Sequence, residues 1–216
     1  MAARNRFLKG KRVLITAGPT WVPIDGVRVI SNLSSGAMGR ALARTFARAG
    51  ARVTLLEGPV PNAADIPGIR TIKFSFYDEL GRRLKQELKK PYCCVVHAAA
   101  VADYRLSKPS RGKLPSGKKR LNLKLVPTQK LINKIKRWRP ACCLVGFKLL
   151  PAGQSRMVRA QACRLRKESG CDLIIANVLK PRYQAWLLDS KENVLARADA
   201  RPGIAKKLIH TLKERL

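Results

Sequence analysis

Short apolar runs rich in Val, Ile and Leu recur along this chain, and amphipathic segments separate them. Runs of that kind are buried on both faces of a sheet, and parallel strands need a helical crossover between them. Val13–Ala17 reads as a first buried strand, Val53–Leu56 as a second, Thr71–Phe74 as a weaker third and Cys93–Ala99 as a fourth. Between them, Gly36–Ala49 puts Met38, Leu42, Phe46 and Ala49 on one helical face. Arg40, Arg44 and Arg48 repeat on another face, and Gly50 is the stop. Tyr77–Lys89 carries Asp78 and Glu79 in its first turn and Lys89-Lys90 at its end, the polarity a helix dipole favours.

The second half continues the pattern. An alternating strand runs through Leu121, Leu123 and Leu125, then a helix spans Gln129 to Trp138. A buried strand at Cys142–Phe147, a helix through Arg156–Lys167 and a strand at Leu173–Asn177 follow. Trp186–Leu188 and Asn193–Ala196 form a hairpin about Ser190-Lys191-Glu192, and Gly203–Leu216 is the last helix. The whole predicts an α/β fold over residues 1–216 as a single domain: Rossmann-like, doubly wound, a mostly parallel sheet with helices on both faces. A mobile flap at 107–119 and a hairpin extension at 184–198 are added to it.

Charge narrows the partners but not the fold. Lys and Arg number 45 against 13 Asp and Glu, a net charge of +32. Such an excess favours nucleic acid, an acidic membrane surface or phosphorylated small molecules. Arg105–Arg139 holds 13 Lys/Arg in 35 residues, and no Asp or Glu lies between Asp103 and Glu168. No apolar run is long enough to span a membrane, and Val13-Leu14-Ile15 is too short for a secretory signal, so a cytoplasmic location is expected. The six cysteines show no CxxC spacing and only His97 and His210 accompany them. The expectation is no protein-held metal, with reduced thiols acting as small buried hydrophobes.

In a doubly wound sheet, ligands sit beyond the carboxyl ends of the strands. After the first strand come Thr16-Ala17-Gly18-Pro19-Thr20, Ile24-Asp25, and Arg28 to Gly39 with Asn32, Ser34, Ser35 and Gly36. Hydroxyls and glycines at a helix start present free N–H groups to an anion. Neither G-x-G-x-x-G nor a Walker A loop is present, and a helix capped by Ser34 or Ser35 fits the same residues. After the fourth strand comes His97-Ala98-Ala99-Ala100-Val101-Ala102-Asp103-Tyr104-Arg105. Its small residues admit a flat group close to the backbone, and Asp103 can accept from a sugar hydroxyl or base amine. Tight helix–sheet packing accounts for the alanines equally well, and His97 reads as a packed strand residue. In Gly146-Phe147-Lys148-Leu149-Leu150, Phe147 can stack on a base and Lys148 can meet a phosphate. A core Phe and a solvated Lys fit that segment too.

Taken in order, these segments resemble the phosphopantothenate–cysteine ligase (phosphopantothenoylcysteine synthetase) family of coenzyme A biosynthesis. The resemblance runs from about Gly10 to Leu216. It rests on Ile15–Thr20, Ile24-Asp25, Val27-Arg28, Ile30-Ser31-Asn32, Ser34–Gly39 and Ala98–Arg105. Gly112-Lys113-Leu114, Leu123–Thr128, Val145–Leu149 and Asp172–Asn177 complete it. It implies that CTP or ATP, with Mg2+ and no flavin, activates 4'-phosphopantothenate as an acyl-nucleotide. Cysteine then displaces the nucleoside monophosphate. By motif, Asn32 handles the intermediate with Arg28 beside it, and Lys113 opens the flap and supports activation. Gly18, Ser34, Ser35, Gly36, Ala99 and Asp103 fall to the nucleotide pocket, and Phe147 lies against the base. The resemblance further implies a homodimer in which one subunit's flap reaches the neighbour's site, and a separate decarboxylase partner.

The chain departs from the family pattern at Trp21-Val22, where Arg-Glu or similar is usual, and at Ala37 and Leu150, where Lys and Glu are usual. Lys113 stands alone in its motif, with Lys118-Lys119 just beyond, and the helix lysines near Arg164–Lys167 align poorly. These departures bear on which nucleotide is used. Two other readings remain beside the ligase. One is a nucleic-acid-binding protein on a degenerate ligase scaffold, which the charge favours and the sparse aromatics oppose: Trp138 is the only one within Arg105–Arg139. The other is a nicotinamide-dependent reductase, which lacks its glycine fingerprint and a Tyr-x-x-x-Lys pair here.

Overall fold

The computed structural model describes residues 7–110, 112–117, 119–151, 155–179 and 181–216. The first half comprises β1 (Arg12–Ala17), β2 (Trp21–Pro23), β3 (Val29–Ser31), α1 (Ala37–Arg48), β4 (Arg52–Glu57), β5 (Arg70–Lys73), α2 (Tyr77–Glu87) and β6 (Cys94–His97). The second comprises β7 (Tyr104–Leu106), β8 (Leu125–Pro127), α3 (Ile132–Trp138), β9 (Cys143–Leu149), a 3-10 turn (Ser155–Met157), α4 (Val158–Ser169), β10 (Leu173–Val178), β11 (Gln184–Asp189), β12 (Val194–Ala198) and α5 (Arg201–Leu212).

Eight strands form one sheet in the order β12-β11-β10-β9-β6-β1-β4-β5. The six from β10 to β5 are parallel, and β11 and β12 add to the β10 edge in antiparallel fashion. The hairpin expected at 184–198 is present as β11–β12 and extends the main sheet at its β10 edge.

Alternation along the central strands builds two cores. Val13, Ile15, Cys94, Val96, Val145 and Ile175 face one side, against Leu42 and Phe46 of α1 and Ile204 and Leu208 of α5. Leu14, Val95, Leu144 and Ile174 face the other, against Leu80 and Leu84 of α2, Ile135 of α3 and Leu165 of α4. Each such fully buried side chain stabilises the fold by roughly 1.5–3 kcal/mol relative to exposure.

Two elements escaped the sequence reading. β2 and β3 pair antiparallel, as do β7 and β8. Both hairpins sit over a small third core of Val22, Ala102 and Leu106 with Ile24 and Leu123 against it. The strand expected through Leu121–Leu125 is displaced: only Leu125–Pro127 pairs, because its partner is Tyr104–Leu106 and register ends at Leu106↔Leu125. The helix start also differs. Gly36, at φ 66°, is the N-cap of α1 and no side chain caps it, so neither Ser34 nor Ser35 takes that position. Ser35 Oγ accepts only the Ala37 N–H, at 3.4 Å.

Arg40, which shares a helical face with Arg44 and Arg48 by spacing, is buried in an ion pair. Its side chain is 11% exposed and reaches Glu57 at 2.7 Å, while Lys73 meets the other Glu57 oxygen at 2.6 Å. A carboxylate buried at the end of β4 requires such partners. Glu87 is held similarly, by Arg70, Lys90 and the Tyr92 hydroxyl.

Candidate active site

The chain leaves β1, builds β4 and β5 on one side, and returns to build β6, β9 and β10 on the other. The order therefore reverses between β1 and β6, and the crevice beyond their carboxyl ends is where such sheets bind ligands. Here the loops after β1 and β6 are laced by backbone bonds. Ala98 donates to Thr16 O, Ala100 donates to Gly18 O at 2.9 Å, and Thr20 donates back to Ala100 O. Thr16 Oγ1 accepts the Ala99 N–H at 3.0 Å and lies 3.1 Å from His97 Nδ1. Thr20 Oγ1 accepts the Ala102 N–H, and Thr128 Oγ1 donates to Ala102 O. His97 is thus packed, as expected, and burial lowers its pKa to about 4. It is a neutral strand-end residue rather than a base.

The start of α1 faces this crevice. Gly18 and Gly36 both have positive φ. A Cβ at Gly36 would stand 2.9 Å from Val60 Cγ2 and 3.4 Å from Gly18 N, so the two glycines touch. Gly58 closes the same corner, since a Cβ there would stand 2.1 Å from Pro19 O. Backbone is thereby brought together at the opening N–H groups of α1, which have no carbonyl one turn back to bind. That is an anion cradle in form.

Asn32 bridges this cradle to the β6 loop. Its Nδ2 donates to Ala100 O at 3.2 Å and Val101 O at 3.3 Å. Both amide hydrogens are spent on backbone, so Oδ1 is the atom left for a ligand, and an acyl oxygen would have to displace one of those bonds. Arg28 is not a free cation beside Asn32. Its Nη1 meets Asp25 Oδ2 at 3.2 Å, and its N–H and that of Val27 donate to Asp25 Oδ1.

Asp25, named from the sequence only as part of the Ile24-Asp25 motif, was given no role there. Its side chain is fully buried, and its Oδ2 also accepts the Leu114 N–H at 3.1 Å, while Ser110 donates to Ile24 O. The N–H of Val27 and those of Leu114 and Arg28 hold its carboxyl below the usual range against the opposing effect of burial. One carboxylate thus ties the β2–β3 turn, Arg28 and the segment next to Lys113 together. The Asp25-Gly26 pair between Val22-Pro23-Ile24 and Val27-Arg28-Val29-Ile30 was the available signal for that hairpin.

The remaining predicted residues are more scattered. Lys113 is exposed, with no carboxylate at ion-pair distance among the described residues. Asp103 is also exposed, at 71%, with Lys130 Nζ 3.9 Å away, and its carbonyl accepts the Thr128 N–H. Phe147 is half-buried against the α1–α5 core at the carboxyl end of β9, one residue past the partner of His97. Ser34 is half-buried and Ser35 exposed. Within the expected flap, Arg111 and Lys118 lie outside the described residues; the described ones form no strand or helix. Among the described residues no group of three or more His, Cys, Asp or Glu is placed to hold a metal, and no helix is long and apolar enough to cross a membrane.

Comparison with known proteins gives this geometry a family. The coenzyme A biosynthesis bifunctional protein CoaBC of Thermococcus kodakarensis is 37% identical over 214 residues, covering 98% of this chain and 51% of that protein. The chain thus spans about half the length of the curated relatives it matches. The crystal structure of the DNA/pantothenate metabolism flavoprotein from Streptococcus pneumoniae superposes with a TM-score of 0.84 at 24% identity, covering 96% of this chain and 100% of that one. A Cab2 mutant in complex with phosphopantothenate-cysteine superposes with a TM-score of 0.75 at 21% identity, covering 98% and 87%. These likenesses bear out the Rossmann-like α/β fold. With residues 8–214 matching its model, the chain belongs to the family described as DNA/pantothenate metabolism flavoprotein C-terminal domain.

Proposed function

We propose that this chain is a phosphopantothenate–cysteine ligase, joining 4'-phosphopantothenate and L-cysteine through an acyl-nucleotide at the β1/β6 crevice. The observation that carries this reading is the convergence of Gly18, Gly36, Asn32 and Ala99–Val101 on one crevice, with Asp25 tethering Arg28 and the Lys113 segment to its rim. The names of the CoaBC relatives and the product in the Cab2 complex are consistent with it.

The chemistry suits the residues. A carboxylate attacking a triphosphate brings two anions together, so catalysis is mainly positioning and charge stabilisation. The α1 N–H groups receive phosphate and Lys113 neutralises developing charge, while Arg28, whose charge Asp25 already balances, contributes guanidinium N–H groups as hydrogen-bond donors. Mg2+ arrives on the triphosphate as part of the substrate. Asn32 holds the β6 loop and offers Oδ1 to the incoming amine. Ala99 and Asp103 border the nucleoside and Phe147 lies toward the base. No flavin enters this reaction, and the decarboxylation that follows belongs to another active site. A cytoplasmic setting fits these substrates.

A second copy is the partner this reading requires at the hairpins. Val27 is 65% exposed, Leu33 103%, Tyr104 57% and Leu125 44%, all on or beside β2–β3 and β7–β8. Side chains of that size in one region favour burial against a like surface. The direct experiment supplies 4'-phosphopantothenate, cysteine, Mg2+ and either CTP or ATP and measures nucleoside monophosphate and pyrophosphate. Release of both supports the ligase and identifies the nucleotide; release of neither with either nucleotide overturns it. Light scattering measures the dimer.

A nucleic-acid-binding role is favoured by one observation. Arg44, Arg82, Arg137, Arg159 and Lys167 are exposed on four different helices and lie outside the crevice. A mobility shift that persists at physiological salt supports it as a second activity, and loss at that salt removes it.

A further inference from the structure

Cysteines gather at the end of the sheet opposite the crevice. Cys94 opens β6, Cys143 opens β9, and the two are register partners in adjacent parallel strands. Their Cα atoms are therefore about 4.8 Å apart, inside the ~4.4–6.8 Å range a disulfide takes. Register partners point to the same face, and both thiols lie toward the α1–α5 core. The vicinal neighbours do not compete. Cys142 faces the other core, Cys93 Sγ donates to Arg12 O, and Cys171 Sγ accepts from Ser169 Oγ at 3.0 Å.

The pair is asymmetric. Cys94 is fully buried, whereas Cys143 is half-buried and lines a cavity of ≈ 360 Å³ with Lys136, Cys142, Asp172, Arg215 and Leu216. A side-chain hydrogen bond from Cys94 lowers the Cys143 thiol and raises that of Cys94 well above its usual value. Burial and Asp172 oppose the thiolate at Cys143, and Lys136 and Arg215 favour it. Lys136 also donates to Cys142 O and meets Asp172 at 2.7 Å, and Cys143 donates its N–H to Cys93 O, so the cavity wall is anchored.

We propose that Cys94 and Cys143 form a thiol-modification site that takes a small organic disulfide of the glutathione class and closes to a cross-strand disulfide. The Cys143 thiolate attacks one sulfur of the reagent, and the other leaves as a thiolate that takes up the proton Cys143 gave to solvent. Cys94 then loses its proton and attacks the Cys143 sulfur of the mixed disulfide. The S–S bond between chain and reagent breaks, and a second small thiol leaves. The chain is oxidised by two electrons and one reagent disulfide is reduced to two thiols. Parallel Cβ vectors must tip together to close the bond, so it is strained and readily reduced. Closed, it staples β6 to β9, the strands whose far ends carry Ala99 and Phe147.

The test treats the folded full chain with glutathione disulfide, blocks remaining thiols with N-ethylmaleimide and maps linkages by mass spectrometry after proteolysis. The expected result is one Cys94–Cys143 linkage and a chain two hydrogens lighter, reversed by mild dithiothreitol. Cys143→Ser abolishes both the linkage and any glutathione adduct, and Cys94→Ala retains the adduct on Cys143 without closure. A Cys93–Cys94 or Cys142–Cys143 linkage, an adduct on wild type that never closes, a linkage that survives Cys143→Ser, or no reaction overturns the proposal. Wild type and Cys143→Ser decide it alone if Cys94→Ala does not fold.

Discussion

The two ends of the sheet spend their polar groups differently. At the amino ends, side chains satisfy one another: Glu87 takes Arg70, Lys90 and Tyr92, and Asp172 takes Lys136 and the Leu144 N–H. At the carboxyl ends of β1 and β6 the bonds lace backbone to backbone or to the uncharged side chains of Thr16, Thr20, Thr128 and Asn32, and Asn32, Asp103 and Lys113 remain exposed. Paired buried charge rigidifies, whereas exposed polar groups on a backbone-laced frame are available to a ligand. Stability should therefore be concentrated at the amino ends and at the Glu57 cluster that closes β4, and activity in the crevice between β1 and β6.

The largest test is Asn32→Ala. On the proposed mechanism it lowers product formation by about 10²–10³-fold, the scale of losing one positioned amide in a charged transition state. Because Asn32 is exposed, the melting temperature should stay within a few degrees of wild type. Steady-state release of nucleoside monophosphate and a thermal melt read the two quantities. A large melting loss with full turnover would invert the comparison.

Gly58→Ala probes the exception that the comparison predicts should exist. Its Cβ would meet Pro19 O at 2.1 Å, and backbone cannot yield as a side chain tip does. The expected cost is about 2–3 kcal/mol of stability, together with weaker nucleotide binding as the β1–β2 turn shifts. Denaturant unfolding and a nucleotide thermal-shift panel measure these. Loss of stability with unchanged binding would show that the glycine corner is structural only.

What the sequence made legible follows the same division. Val13-Leu14-Ile15 and Cys94-Val95-Val96 announce buried strands, because burial on both faces leaves an unbroken apolar run. The three-residue β2, β3 and β7 are partly or wholly exposed and too short to show a period, so both hairpins were missed. Gly18, Asn32 and Ala99 were found as motif members, yet no spacing could show that Asn32 grips Ala100 across 68 residues or that Asp25 reaches Leu114 across 89. The burial of Arg40 was illegible for the same reason: it depends on Glu57 of β4, distant in sequence.

Glu87→Gln tests the amino end. Arg70, Lys90 and Tyr92 hold the Glu87 carboxyl at about 2 against burial. A depressed carboxylate stabilises the fold fully above its unfolded value of 4.5, and that stability is lost as pH falls from there to about 2. Gln should cost about 2–3 kcal/mol at neutral pH, discounted for the half-exposed Arg70 and Lys90, and should remove that acid phase. Turnover should be unaffected. Unfolding free energy against pH in both proteins checks it, and an unchanged profile would disprove the assignment.

Thr16→Val has the smallest expected effect and lies at the carboxyl ends of β1 and β6, beneath the crevice. Thr16 Oγ1 accepts from Ala99 N–H, and its own proton suits an unprotonated His97 Nδ1. Val keeps the volume and leaves both groups without that partner, which costs about 1–2 kcal/mol. His97 also sets a second acid phase. Its folded pKa of about 4 lies below its ordinary 6.5, so the unfolded chain binds the extra proton first and stability falls as pH drops from 6.5 to about 4. That phase precedes the one from Glu87. It should persist in Thr16→Val, because burial rather than the hydroxyl lowers the pKa. Nucleotide affinity should drop a few-fold as the Ala99 loop loosens. Equal affinity with reduced stability would place Thr16 with the structural end, while a shifted His97 phase would show the hydroxyl tuning the ring.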